Sequence, residues 1–209
     1  MRLAGMSAAV VPLAALLTAC QPAHKPAADN HGEATPQAAT QPADTTQGTA
    51  IGYALDLPDD MRQARRQADF AWWRTGPAHC QLHVCLYTYR SGTLDAREFA
   101  QRRNDIMRRN IRGATDSVYM ATFMPSVRSQ KAPRNGRRMM RVSGLWQMEG
   151  DMMGGPFLSH CLLDSPSRRV IVAEAFVYAP DYDKTAMLQR LERVLETLHP
   201  TRRPKGATQ

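Results

Sequence analysis

The side chains best equipped for chemistry fall in two short stretches. His79-Cys80-Gln81-Leu82-His83-Val84-Cys85 is one and His160-Cys161 is the other. Imidazole and thiolate suit soft divalent metals. On a strand His83 and Cys85 share a face, and Cys161 would complete the set if its strand lay alongside. Such a set would make a metal or redox sensor. Packing is the preferred reading, because a free cysteine in an apolar strand behaves as a small hydrophobe, and no cofactor or metal is expected. Three cysteines follow Cys20, so in an oxidising compartment two can pair and leave one over. Cys80 and Cys85, five apart on a strand, face opposite ways, which leaves cross-strand bonds to Cys161, with Cys85–Cys161 as the candidate.

Hydrolytic chemistry is weaker. Ser159, His160 and Asp164 are near one another, but strand alternation sends Ser159 and His160 to opposite faces. There is no Gly-x-Ser-x-Gly elbow and no His-Glu-x-x-His pair. Gly154-Gly155-Pro156 is too short for a phosphate cradle and reads as a turn. Binding is better supplied. Arg97, Arg102, Arg108, Arg109 and Arg112 crowd one segment. With Trp73 from Trp72-Trp73-Arg74, the first four form the candidate binding surface, since arginine and exposed aromatics dominate recognition sites. Adjacent Trp72 and Trp73 cannot both face one core. Trp146, with Arg141 and Glu149 nearby, alternates with Met140, Val142 and Met148 and reads as core. The other methionines on alternating strands read likewise, and Met152-Met153 as an exposed apolar tip.

The elements that position these groups lie in one region. Met1–Ala19 reads as a signal peptide with Arg2 at its start and an apolar run, Ala8 to Leu17, too short to span a bilayer. Leu17-Thr18-Ala19-Cys20 reads as a lipoprotein processing box, making Cys20 the lipid-attachment residue. Gln21 in place of Asp points to the outer membrane, facing the periplasm. Residues 20–49 are Ala, Pro, Thr and Gln with almost no large apolar side chain, and are expected to form a disordered tether. The domain spans 50–200, and 201–209 is expected to be a disordered tail. Residues 50–209 carry 25 basic and 16 acidic side chains, a net charge of +9, and nearly all the cations are arginine. That charge suits anionic partners; the address disfavours nucleic acid.

Within the domain, alternation predicts strands at 51–57, 69–74, 81–90, 118–124, 127–131, 137–148 and 157–163, with a both-faces-buried strand at 169–179. A helix follows Thr93 or Asp95, with Ala96, Phe99, Ala100, Ile106 and Met107 inward and Gly113 as its stop. Pro180–Asp183 introduces a second helix, with Met187, Leu188, Leu191, Val194, Leu195 and Leu198 inward. The order implies an α+β domain, a mainly antiparallel sheet of six or seven strands packed by two helices. By fold-level analogy it looks like a PsbP-type α/β/α sandwich.

Three blocks carry a resemblance: Arg141 to Phe157, including Gly144-Leu145-Trp146 and Gly154-Gly155-Pro156-Phe157; Phe176 to Pro180; and Arg103-Asn104-Asp105 with Asp116 to Met120. Together with Leu188-x-x-Leu191-Glu192 they are similar to a family of uncharacterised lipoproteins, known mainly from Bacteroidetes and catalogued as a domain of unknown function. The resemblance implies a lipoprotein and a shared fold over most of 51–199, and no activity. It also implies a further N-terminal region, with no counterpart between Cys20 and residue 50. The expected function is therefore a non-enzymatic, membrane-tethered envelope module that binds an envelope protein or an anionic surface polymer. A hydrolase of envelope material and a Cys/His metal or redox sensor are the alternatives.

Overall fold

The computed structural model describes residues 51–75, 80–113 and 115–201. Cys20, the 20–49 segment, His79 and the tail from Arg202 lie outside the described residues. Among the described residues nine strands and two helices run in the order β1 (Tyr53–Ala54), β2 (Arg62–Arg66), β3 (Phe70–Arg74), β4 (Gln81–Arg90), α1 (Ala96–Asn110), β5 (Tyr119–Lys131), β6 (Met139–Glu149), β7 (Gly154–Asp164), β8 (Arg169–Tyr178), α2 (Thr185–Leu195) and β9 (His199–Pro200). The larger sheet is antiparallel, ordered β2-β3-β4-β8-β7-β6-β5. This is the α+β architecture expected from the sequence, with one helix on each face.

Strand β8 is apolar on both sides because it is the centre of the sheet. Its residues alternate between two cores. Val170, Val172 and Phe176 join the α1 layer with Phe99, Ala100, Ile106 and Met107. Ile171, Ala173, Ala175 and Val177 join the α2 layer with Leu191, Val194 and Leu195. Helix α1 begins where the Asp95 carboxylate accepts from the Glu98 backbone N–H at 2.7 Å, which satisfies an orphan donor of the first turn. It ends at Asn110, three residues before Gly113. Gly113 is needed instead for close approach, since a Cβ there would meet Val118 Cγ1 at 2.1 Å. At α2 the Asp183 carboxylate accepts from the Thr185 backbone and hydroxyl.

Trp146 is buried in the α1 layer, with its indole N–H directed at the Val177 carbonyl and its ring edge-on to Phe176. Gly155 lets the strands close over it: a Cβ there would meet the Val177 carbonyl oxygen at 2.1 Å. Trp72 packs on the α1 layer and Trp73 on the α2 layer.

Three departures have physical causes. The expected opening strand is only Tyr53–Ala54, paired with His199–Pro200 in a separate two-stranded sheet. Its apolar residues Ile51, Tyr53 and Leu55 are buried in the α2 layer without extended pairing. The two short strands expected at 118–131 are one edge strand, β5, broken in register between Phe123 and Arg128. Pro125 sits inside that irregularity, where a missing N–H costs no ladder bond. The sequence of β2, Arg62-Gln63-Ala64-Arg65-Arg66, has no apolar alternation, because this edge strand is almost wholly exposed.

Candidate functional site

The arginines of α1 and of the turn after it divide by their partners. Arg102 pairs with Glu98 at 3.7 Å, Arg112 with Asp116 at 3.1 Å, and Arg108 stacks over the Tyr119 ring. Arg97 and Arg109 have no carboxylate within ion-pair reach among the described residues. Arg102 and Arg109, seven residues apart, share one side of the helix. They line a groove of about 330 Å³ that the adjoining ends of β4 and β8, at Arg90 and Arg169, border, while the Arg169 guanidinium turns to Asp164 and the Ile51 carbonyl on the α2 side. Asp69 and Asp105 are the only carboxylates in that lining. Arg90 and Arg169 are directly opposed across the ladder, and Asp164, opposite Arg169 on its other side, pairs with it at 3.9 Å. Sequence reasoning missed these two, which become neighbours of α1 only once the strand ends are placed. Arg97 and Arg108 do not line the groove. Trp73 is on the α2 side of the sheet and does not join the arginines, which corrects the expected surface. Trp146 is likewise separated from Arg141 and Glu149, which lie on the other face of β6.

The cysteine and histidine set does not form a site. Cys80, Cys85 and Cys161 are free. Cys85 stands opposite Glu174 and Cys161 opposite Val172, on strands that flank β8 from either side. Two inter-strand steps place them about 10 Å apart, beyond the Cα separation a disulfide allows. The candidate Cys85–Cys161 bond is therefore absent. Burial, and then the Glu174 charge, push both thiols well up, away from the thiolate a metal needs. The His83 ring stacks on Phe176 at 4.3 Å, and its Nδ1 accepts from the Trp72 indole N–H at 3.2 Å. Burial, and then Arg74, lower its pKa to about 3. No group of three or more metal-ligating side chains exists among the described residues.

The strongest electrostatic feature was not read from the sequence. Arg103 and Glu174 form an ion pair at 2.8 Å with both side chains fully buried. Glu174 Oε1 also accepts from Arg103 Nε at 2.9 Å, and Oε2 accepts from the Tyr87 hydroxyl at 2.8 Å and Ser159 Oγ at 3.2 Å. Arg103 Nη1 donates to Thr122 Oγ1, whose hydroxyl donates to Asn104. The guanidinium lies over the Phe157 ring at 4.3 Å. Every part of the cluster is satisfied and sealed, so it holds α1 to β8 rather than meeting a substrate. Ser159 is committed to this layer while His160 faces α2, so these two cannot act together on one bond. Two signals were available: Arg103 occupies a position in the apolar stripe of α1, and Glu174 is a lone acid in an apolar strand.

With this geometry in view, the comparisons are specific about family. A family model described as a domain of unknown function, DUF4837, matches residues 40–197. The chain belongs to that family. No curated protein matches it. Among solved structures, the Ran-binding protein Mog1p of Saccharomyces cerevisiae is similar over 72% of this chain and 90% of its own, with 9% identity and a TM-score of 0.42. A point mutant of Mog1 matches over 72% of this chain and 91% of its own, with the same identity and TM-score. No helix among the described residues is long and apolar enough to cross a membrane.

Proposed function

We propose that this DUF4837 protein is a non-catalytic binding module of a bacterial envelope. In this reading Cys20 carries lipid and tethers it to the outer membrane on the periplasmic side, and the α1 face docks an anionic surface polymer or phosphate-bearing headgroups. The observation that carries the reading is the groove lined by Arg102 and Arg109 of α1 and bordered by the strand ends at Arg90 and Arg169, with Asp69 and Asp105 as the carboxylates of its lining. Guanidinium groups bind phosphate and carboxylate through paired N–H donors, which lysine cannot reproduce.

The test is co-sedimentation of the full chain with vesicles of phosphatidylglycerol or of phosphatidylcholine at low and high salt. Binding to the anionic vesicles alone, lost at high salt and weakened by R102Q with R109Q, supports the reading. Equal partition into both lipids at low salt overturns it. The tether has its own check, since a fatty-acid analogue should label wild type and not C20S.

A further inference from the structure

The opposite face of the sheet carries a second cleft. Its floor is a lattice of directly opposed side chains on β5, β6 and β7. Arg128 faces Ser143, which faces Leu158; one row along, Gln130 faces Arg141, which faces His160. Glu192 of α2 forms the wall, and the cleft holds about 300 Å³, at the small end of ligand sites.

Two polar atoms on residues that line this cleft are shielded from solvent and have no hydrogen-bond partner among the described residues: Arg141 Nε and His160 Nδ1. The His160 side chain belongs to a residue only 2% exposed. The ring interacts with the Leu195 backbone at the end of α2, which favours the tautomer with its proton on Nε2. Burial, and then the Arg141 charge, lower the pKa to about 4, so at neutral pH Nδ1 is a bare acceptor. Beside it on the facing strand Arg141 Nε–H is a bare donor. Buried groups of this kind call for partners.

The chemistry of the pair selects what can fill it. A carboxylate or sulfate, with no proton of its own at neutral pH, accepts from Nε–H but has nothing to give to Nδ1. A hydroxyl does both. The charges agree, because Arg141 already pairs with Glu192 at 3.2 Å and Glu196 at 3.1 Å, and Arg128 donates to the carbonyls of Pro125 and Val127. We propose that this cleft binds a neutral, hydroxyl-rich ligand of monosaccharide size, one hydroxyl of which accepts from Arg141 Nε–H and donates to His160 Nδ1. Ser143 and Gln130 supply further hydrogen bonds, and Leu158 the apolar contact.

The experiment follows the His160 ring nitrogens by NMR in the full chain, titrated with glucose, galactose and N-acetylglucosamine, and with sulfate and acetate as anionic probes. At least one sugar should shift the Nδ1 resonance saturably in the millimolar range, with no shift from either anion. R141K keeps the charge but removes Nε–H, and should weaken binding about tenfold, as expected for one lost hydrogen bond. S143L fills the cleft without touching either atom and should abolish binding. It should leave vesicle binding by the arginine groove unchanged, which separates this site from the other. Thermal unfolding of both variants shows that they fold, and if R141K does not, S143L alone decides. The proposal is overturned if no sugar gives a saturable shift, in which case the two atoms bind water only. It is also overturned if an anion binds in a sugar's place, or if sugar binding survives S143L.

Discussion

Replacing Glu174 with Gln removes one charge from the sealed cluster and little else. The new amide can turn its carbonyl toward Arg103 and its NH2 toward Tyr87 and Ser159, whose hydroxyls can both accept. The hydrogen bonds are therefore re-formable, and what is lost is the countercharge 2.8 Å from a fully buried guanidinium. Breaking a buried pair on one side costs about 3–5 kcal/mol, set against a total stability of roughly 5–15 kcal/mol for a domain. At about 2–4 °C per kcal/mol for a domain of this size, E174Q should lower Tm by roughly 6–20 °C. Replacing both partners, as R103M with E174L, should recover part of the loss, because apolar groups replace a buried ion pair at little cost while the Tyr87 and Ser159 hydroxyls lose their acceptor. Urea unfolding of wild type, R103M, E174L and the double variant gives the coupling directly. As an exposed comparison, E196Q breaks one arm of the Arg141 pair and should cost about 0–1 kcal/mol. If E174Q falls in that same small range, the cluster is open to water and the reasoning from burial is wrong.

Acid sensitivity should come from histidines held neutral. His160 and His83 titrate near 4 and 3 in the folded protein and near 6.5 when unfolded. Between those values the unfolded chain binds more protons, so stability is fully present above pH 6.5 and is lost as pH falls toward 4 and then 3; urea midpoints at pH 7.5 and pH 5 check this, and H160Q should flatten part of the difference. Of the cysteines described, native protein should react with a thiol reagent at Cys80 alone, because Cys85 and Cys161 are buried and held protonated; peptide mapping after labelling reads the sites, and labelling of Cys85 at the Cys80 rate would contradict the packing.

Much of the frame was legible because burial leaves a period. Strand β4 runs over the expected residues 81–90, since each alternate side chain enters one of two cores. Strand β8 was legible as a strand covered on both faces because nothing but Glu174 interrupts it. Where burial is absent the pattern is absent too, and β2, with its arginines in solvent, could not be read. The candidate sites fared differently. Arg103 is one of many arginines, and only its position in the α1 stripe distinguishes it from Arg102. His160 and Arg141 were each noticed, but their opposition depends on the β6–β7 register, which no residue type announces. The Cys85 and Cys161 pair failed for a related reason: both face the same layer, yet β8 comes between their strands.

The small pairing of β1 with β9 joins the first described strand to the last. Arg137 braces it by donating to the Tyr53 hydroxyl at 2.8 Å, from the far side of the turn at Asn135-Gly136. The fold is thereby closed into a ring of chain, with its entry and exit side by side at one pole. A load applied at the entry would peel two short strands before it reached the seven-stranded sheet. The same closure makes the fold a natural cassette. Old ends could be joined through a short linker and new ones opened in the 134–137 turn, giving a circular permutant with the same core.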